Sequence, residues 1–178
     1  MMTDSIERRT LLAFAAAAIP TLAYGQAGAS EVAQKSRSFP GAGKQGLEVP
    51  KDNAIYGASQ AAFEKYGYSP AVRAGGLLFI AGAVGVRPDG TVPESVAEQG
   101  ELALRRTAEI LRLEGLSMAD LVDVTSYHVG IADNLKEFLP VKERYFERPF
   151  PSWTIIGVEA LARPVLKIEI RSVAALRD

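Results

Sequence analysis

The sequence predicts an α+β protein in which a single sheet carries its helices on one face. Segments with the two-residue period of strands and the 3.6-residue period of helices follow one another as strand, strand, helix, strand, helix, strand, strand. The strand from Leu77 to Val86 is apolar almost throughout, which requires protein cover on both of its faces. Two closing apolar runs, Trp153 to Val158 and Val165 to Val173, are separated only by a short connection holding Arg163 and Pro164, and this spacing predicts antiparallel neighbours. With helices on one face, the other is left for self-association.

The individual elements rest on local chemistry. Tyr68-Ser69-Pro70-Ala71-Val72 is extended and ends at Gly75-Gly76, a pair that accepts positive φ without steric cost, so a hairpin leads into Leu77 to Val86. Pro88-Asp89-Gly90 turns the chain. Ser95 with Glu98 three residues on is the reciprocal pattern that satisfies free N–H groups at a helix start. Val96, Gly100, Ala103, Leu104, Thr107, Ile110 and Leu111 form its inward stripe, while Glu101, Arg105, Glu109 and Arg112 pair along its exposed side. Gly115 stops it. A turn at Ser117 to Asp120 precedes a strand from Leu121 to Val129. Asp133 is expected to cap a second helix that runs through Phe146, buries Leu135, Phe138, Val141, Tyr145 and Phe146, and is kinked or restarted at Pro140.

Composition narrows the function. The 178 residues carry twenty basic and twenty-one acidic side chains, a formal charge of -1, which gives no global field for nucleic acid or an anionic bilayer. With no Cys and one His, disulfides, thiolate nucleophiles and His-rich or Cys-containing metal sites are excluded. The lone His128 sits on a strand with no second ligand or acid near it in sequence, a pattern of structural histidines. One folded domain is expected, over residues 54–178.

Ahead of it lie two other segments. Arg8-Arg9, then Thr10-Leu11-Leu12 and an uncharged Ala-rich run to Ala23, resemble a twin-arginine export signal. The run is shorter than the about 20 residues of a transmembrane helix, so removal fits better than retention as an anchor. Cleavage is expected after Ala27, with Ala23 to Gly25 competing, which gives a signal over residues 1–27, a periplasmic product and no membrane attachment of the mature form. Residues 28–53 read as a flexible linker. Within it Gly41-Ala42-Gly43-Lys44-Gln45-Gly46 matches the GxGxxG dinucleotide fingerprint, but no strand precedes it and no amphipathic helix follows.

One ionisable residue stands out, Glu169 between Ile168 and Ile170. Alternation across the pleat puts its carboxylate on the face opposite its apolar neighbours, either in water or in a cleft where it orients a water or takes a proton. Trp153 likewise has two readings, core filler at a strand start or a cleft wall suited to an apolar, aromatic or cationic ligand. Thr154 beside it either presents a hydroxyl to that cleft or is satisfied within the strand.

Taken together, Tyr68-Ser69-Pro70-Ala71-Val72, the strand ending in Ala81-Gly82, Asp120-Leu121-Val122, the helix with Tyr145 and Ile168-Glu169-Ile170 resemble the Rid superfamily, also called YjgF/YER057c/UK114. The resemblance covers about Ala54 to Ala174. It implies a chorismate-mutase-like α+β fold with helices on one face of a mixed sheet, a homotrimer formed through the other face, and small-molecule clefts between subunits. It also implies hydrolysis of enamines and imines without metal or organic cofactor. On this likeness Tyr68 matches the family's cleft tyrosine, Gly82 a strand-end glycine and Glu169 the glutamate of the catalytic water. The chain departs at Ala81 and Ala83, where Ser and Gln are usual, at Lys142, where Asn is common, and at Trp153, where the deaminase subgroup carries an arginine that binds the substrate carboxylate. An indole offers one neutral N–H in place of a charged two-pronged donor. Lys142, Arg73 or Arg163 are candidates to replace that charge. The expected function is hydrolysis of a small enamine, imine or related electrophile, with Glu169 and Tyr68 catalytic and Trp153, Gly82, Thr154 and Lys142 lining the pocket. The alternative is a non-catalytic trimer that binds a small molecule or a protein through Trp153.

Overall fold

The computed structural model describes residues 43–177; the expected export signal and most of the linker lie outside them. Nine elements follow in order: β1 (Gln45–Gly46), α1 (Ala61–Tyr66), β2 (Ala71–Ala74), β3 (Leu77–Val84), α2 (Val96–Leu113), β4 (Leu121–Val129), α3 (Ile131–Glu143), β5 (Ser152–Val158) and β6 (Ile168–Ala175). Together they make an α+β fold with one mixed six-stranded sheet in the order β1-β2-β3-β6-β4-β5.

That order corrects the expectation for the closing strands. β5 and β6 are not neighbours, because β4 lies between them. β5 runs parallel to β4, reached through α3 as a crossover, while β6 slots antiparallel between β3 and β4. The central position gives β6 two hydrogen-bonded neighbours, and its Ile168, Ile170 and Ala174 are at most 1% exposed.

The end of the linker is ordered. Gln45–Gly46 adds an edge strand to β2, and Leu47 and Val49 pack against the core. The GxGxxG match therefore ends in a sheet edge, and the next α-helix, α1, begins only at Ala61, fifteen residues beyond Gly46, so no helix opens on the motif itself.

The predicted turn chemistry holds at two places. Gly75 and Gly76 take φ of 57° and 79° between β2 and β3, and the Ser95 hydroxyl accepts from the Glu98 N–H at the start of α2. The reciprocal half is different: the Glu98 carboxylate pairs with Arg87 across the turn. At α3 the cap is Gly130, whose φ of 61° and ψ of 46° suit glycine, and Asp133 sits inside the first turn. α3 continues through Pro140 and ends at Glu143, so Tyr145 and Phe146 follow it.

All seven predicted stripe residues of α2 are buried, and so are two polar ones, Gln99 and Arg106. The Gln99 amide is fully used. It donates to the Pro93 and Val165 carbonyls at 2.7 and 3.0 Å and accepts from the Lys167 N–H at 2.8 Å, tying the connection before β6 to the helix. Glu101, expected to pair along α2, instead binds Arg144 and the Tyr145 hydroxyl just beyond α3.

The core lies between the sheet and α2 and α3, built from Leu78, Ile80, Leu104, Ile110, Leu111, Val124, Phe138, Ile168 and Ile170. The opposite sheet face carries Phe79 and Ile156, each 37% exposed, and among the described residues no helix covers it. β3 therefore alternates, and its two-sided cover is not completed within the protomer.

Candidate functional site

The site forms where β3 breaks register. Ile80 pairs with Ser172 and Ala83 with Ile170, so Ala81 and Gly82 together oppose the single residue Arg171. This bulge bends the strand beside the Tyr68 segment, to which it is tied by the Ala81 N–H donating to the Pro70 carbonyl at 2.9 Å.

Glu169 stands over the bulge. A methyl group built on Gly82 would lie only 2.7 Å from the Glu169 carboxyl carbon, so the absence of a side chain at Gly82 makes room for the carboxylate. The alternation reading is met: Ile168 and Ile170 point into the core and Glu169 to the other face, half-buried. Among the described residues nothing donates a hydrogen bond to its carboxylate, and burial alone pushes its pKa above the usual glutamate value. A carboxylate left with free lone pairs and a raised pKa is equipped to hold and deprotonate a water.

Tyr68 is the second group here. Its ring packs edge-on against Phe63 at 5.2 Å, and Phe63 in turn meets Tyr56 at 5.6 Å. Burial raises the phenol pKa, Arg106 pulls it back, and the Glu169 carboxylate raises it further. Tyr68 therefore stays a neutral donor at physiological pH, within the electrostatic reach of Glu169.

Arg106 went unnoticed in the sequence. It is 5% exposed, its Nη2 donates to Ser59 Oγ at 2.6 Å and the Val86 carbonyl at 2.8 Å, and its guanidinium lies 5.0 Å from the Tyr56 ring centre. The signal was its spacing: Gln99, Ala103, Arg106 and Ile110 recur at four, three and four residues, so a polar residue at that position had to be buried and bonded.

Trp153 and Lys142 are elsewhere. Trp153 pairs in register with core residue Val124, donates its indole N–H to Ser126 Oγ at 2.9 Å and packs edge-on against Phe138 at 6.4 Å. It lies on the helix side of the sheet, whereas Glu169 lies on the other. Lys142 Nζ sits 4.3 Å from the Trp153 ring centre, also near Phe146 and Phe150. Thr154 faces the same side as Glu169 but on β5, beyond β4. One protomer thus brings together Tyr68, Gly82 and Glu169, while Trp153, Lys142 and Thr154 form the far edge. His128 is fully buried with Nε2 2.9 Å from Ser126 Oγ, in keeping with a structural role. No cluster of potential metal ligands occurs among the described residues.

Comparisons with known proteins give one answer. Residues 59–176 match the family model described as Endoribonuclease L-PSP. The chain is 34% identical over 117 residues to the RutC family protein YjgH of Escherichia coli, covering 65% of this chain and 88% of that one. It is also 34% identical over 111 residues to Reactive Intermediate Deaminase A, chloroplastic, of Arabidopsis thaliana, covering 61% of this chain and 58% of that one. Among solved structures, Rv2704 of Mycobacterium tuberculosis, a YjgF/YER057c/UK114 family member, superposes with a TM-score of 0.61 at 27% identity, over 75% of this chain and 99% of that one.

Proposed function

Because the chain belongs to the Endoribonuclease L-PSP family, which is the YjgF/YER057c/UK114 or Rid family of its solved relatives, we propose that it hydrolyses a small enamine or imine in a cleft completed between protomers. The observation that carries this reading is the unbonded Glu169 carboxylate held over the Gly82 bulge beside Tyr68. Glu169 holds a water and takes its proton as the oxygen attacks the imine carbon. Tyr68 donates a hydrogen bond to the substrate nitrogen. The Glu169 carboxyl returns that proton to the nitrogen, and the tetrahedral adduct collapses to a carbonyl as its hydroxyl proton passes to the departing amine, which leaves as ammonia, so one water is consumed per C=N bond broken. A relative named for deaminating reactive intermediates supports this chemistry.

The cleft between protomers is supported by the split of the predicted residues over the sheet. Trp153 on the helix side at the β5 edge cannot share a pocket with Glu169 of its own protomer, but a neighbour docked on the open face with Phe79 and Ile156 could bring its own β5 edge alongside. A homotrimer, as the family resemblance implies, supplies three such clefts. Ribonuclease chemistry is not favoured, since the one histidine is buried within the sheet.

The arginine of the deaminase subgroup is absent at Trp153, so that position contributes no carboxylate contact. The test is pyruvate release from 2-aminoacrylate, generated in place by a serine dehydratase, for the wild type beside Trp153→Arg. Wild-type acceleration supports the hydrolase; no acceleration by either protein supports the non-catalytic binding module instead.

The chain is further proposed to reach the periplasm by the twin-arginine route, supported by Arg8-Arg9 and the uncharged run to Ala23. Replacing both arginines with lysine is expected to strand the protein in the cytoplasm, read by cell fractionation.

A further inference from the structure

The proposed cleft lacks a partner for a negatively charged substrate, and the cations first considered for that role are engaged or remote. Lys142 is held over Trp153, Arg73 pairs with Glu114, and Arg163 lies on the connection before β6, outside the sheet. Arg106 is buried and bonded to Ser59 and the Val86 carbonyl.

Arg171 is different. It follows Glu169 by two residues on β6, so both project from the same face. Two residues of strand separate their backbones by about 6.6 Å, and no ion pair joins them among the described residues. Nor does a neighbouring cation lower the Glu169 pKa, which burial alone raises. One small molecule on that face can therefore reach both side chains.

The surroundings of Arg171 fit a polar ligand. Across β3 it faces the bulge, where Ala81 and Gly82 offer little side-chain bulk. Across β4 it pairs with Thr125, which pairs in turn with Thr154 of β5, so a guanidinium and two hydroxyl-bearing residues form one row across the sheet. The adjacent row runs through Glu169, Tyr127 and Ile156. Asp123 is the other acid on this face, one row beyond Thr125 opposite Val173, and it makes no ion pair with Arg171 among the described residues.

We infer that Arg171 is the specificity-determining residue of this cleft, binding the carboxylate of a small 2-imino acid or its enamine tautomer while Glu169 positions the water. The inference rests on the hydrolytic reading of the cleft and names its substrate class. Arg171 would do from β6 what the deaminase subgroup does with an arginine at the position of Trp153: a planar guanidinium meets a carboxylate with two parallel N–H donors.

Arg171 is exposed in the protomer, so its replacement leaves the core intact. The test is calorimetric titration of the full chain with 2-oxobutanoate, the carbonyl product of such a reaction, and with the neutral isostere 2-oxobutanamide. Arg171→Gln is expected to weaken 2-oxobutanoate at least about tenfold and leave the amide unchanged, with Arg171→Lys between the two, since a lone ammonium keeps the charge but not the fork. Equal weakening of both ligands, or none, overturns the inference. If Arg171→Gln binds 2-oxobutanoate as the wild type does while Glu169→Gln still abolishes turnover, Arg171 is excluded and the hydrolytic cleft stands. If the wild type neither binds 2-oxobutanoate nor turns over any imine, both fall.

Discussion

Glu169→Gln is expected to reduce imine hydrolysis by at least about a hundredfold, the lower range of what a positioned general base contributes, while binding of a product-like ligand is almost unchanged. The amide keeps the shape of the side chain and loses only the basic oxygen. The same variant is expected to be more stable than the wild type near neutral pH. Burial raises the Glu169 pKa in the folded protein, so the fold holds that proton more tightly than the unfolded chain does. Stability from the neutral form is fully present below the ordinary carboxyl range and is lost as pH rises through the raised value. Glutamine never ionises and escapes that loss. Thermal melts of the two proteins should therefore diverge near neutrality and converge in acid, an opposition of stability and activity typical of a functional carboxylate.

Phe138→Ala is expected to cost about 3 to 5 kcal/mol of stability, the range for deleting a buried aromatic ring. Phe138 is 1% exposed and joins the two long helices to the sheet. On one side Gly100 of α2 is the hole it fills, since a methyl group there would lie 2.6 Å from its ring. On the other it meets the His128 ring at 5.5 Å and Trp153 at 6.4 Å. Urea unfolding at matched protein concentration should show a lower midpoint with an unchanged slope. Loss of the Trp153 contact should also change indole fluorescence in the folded state.

The elements of the fold were legible where local chemistry decides them. Gly75-Gly76, the Ser95 half of the α2 cap and the alternation around Glu169 specify backbone geometry without outside help and appear as expected, while the Glu98 half goes to Arg87 instead. The insertion of β6 between β3 and β4 was not legible, because proximity in sequence favours β5 as its partner and only the whole sheet reveals the central place. Gly130 displaced Asp133 as the cap of α3 because a left-handed residue ends the preceding strand there, a requirement set by the tight turn from β4. β1 and α1 are too short for periodicity to mark them.

The site was legible in part for the same reason. Glu169 and Gly82 sit on strands whose faces follow from alternation, and the bulge brings them together. Trp153 sits on an edge strand with Ile155 and Ile156 exposed on either face, so its sequence neighbours did not show which side it takes. Its hydrogen bond to Ser126 decides for the helix side. Arg171 escaped notice because an exposed arginine on the outward face of a strand is common, and its meaning depends on Glu169, Thr125 and the bulge being placed around it.

The most direct test of the central claim, that an ionised Glu169 activates the water, is the pH dependence of imine hydrolysis by the wild type, corrected for the reaction in buffer and set against Glu169→Gln. The account predicts an acceleration that falls on the acid side at a pKa above the ordinary glutamate value and is absent from the variant. An acceleration that persists through that acid range, or one that Glu169→Gln retains, would contradict it.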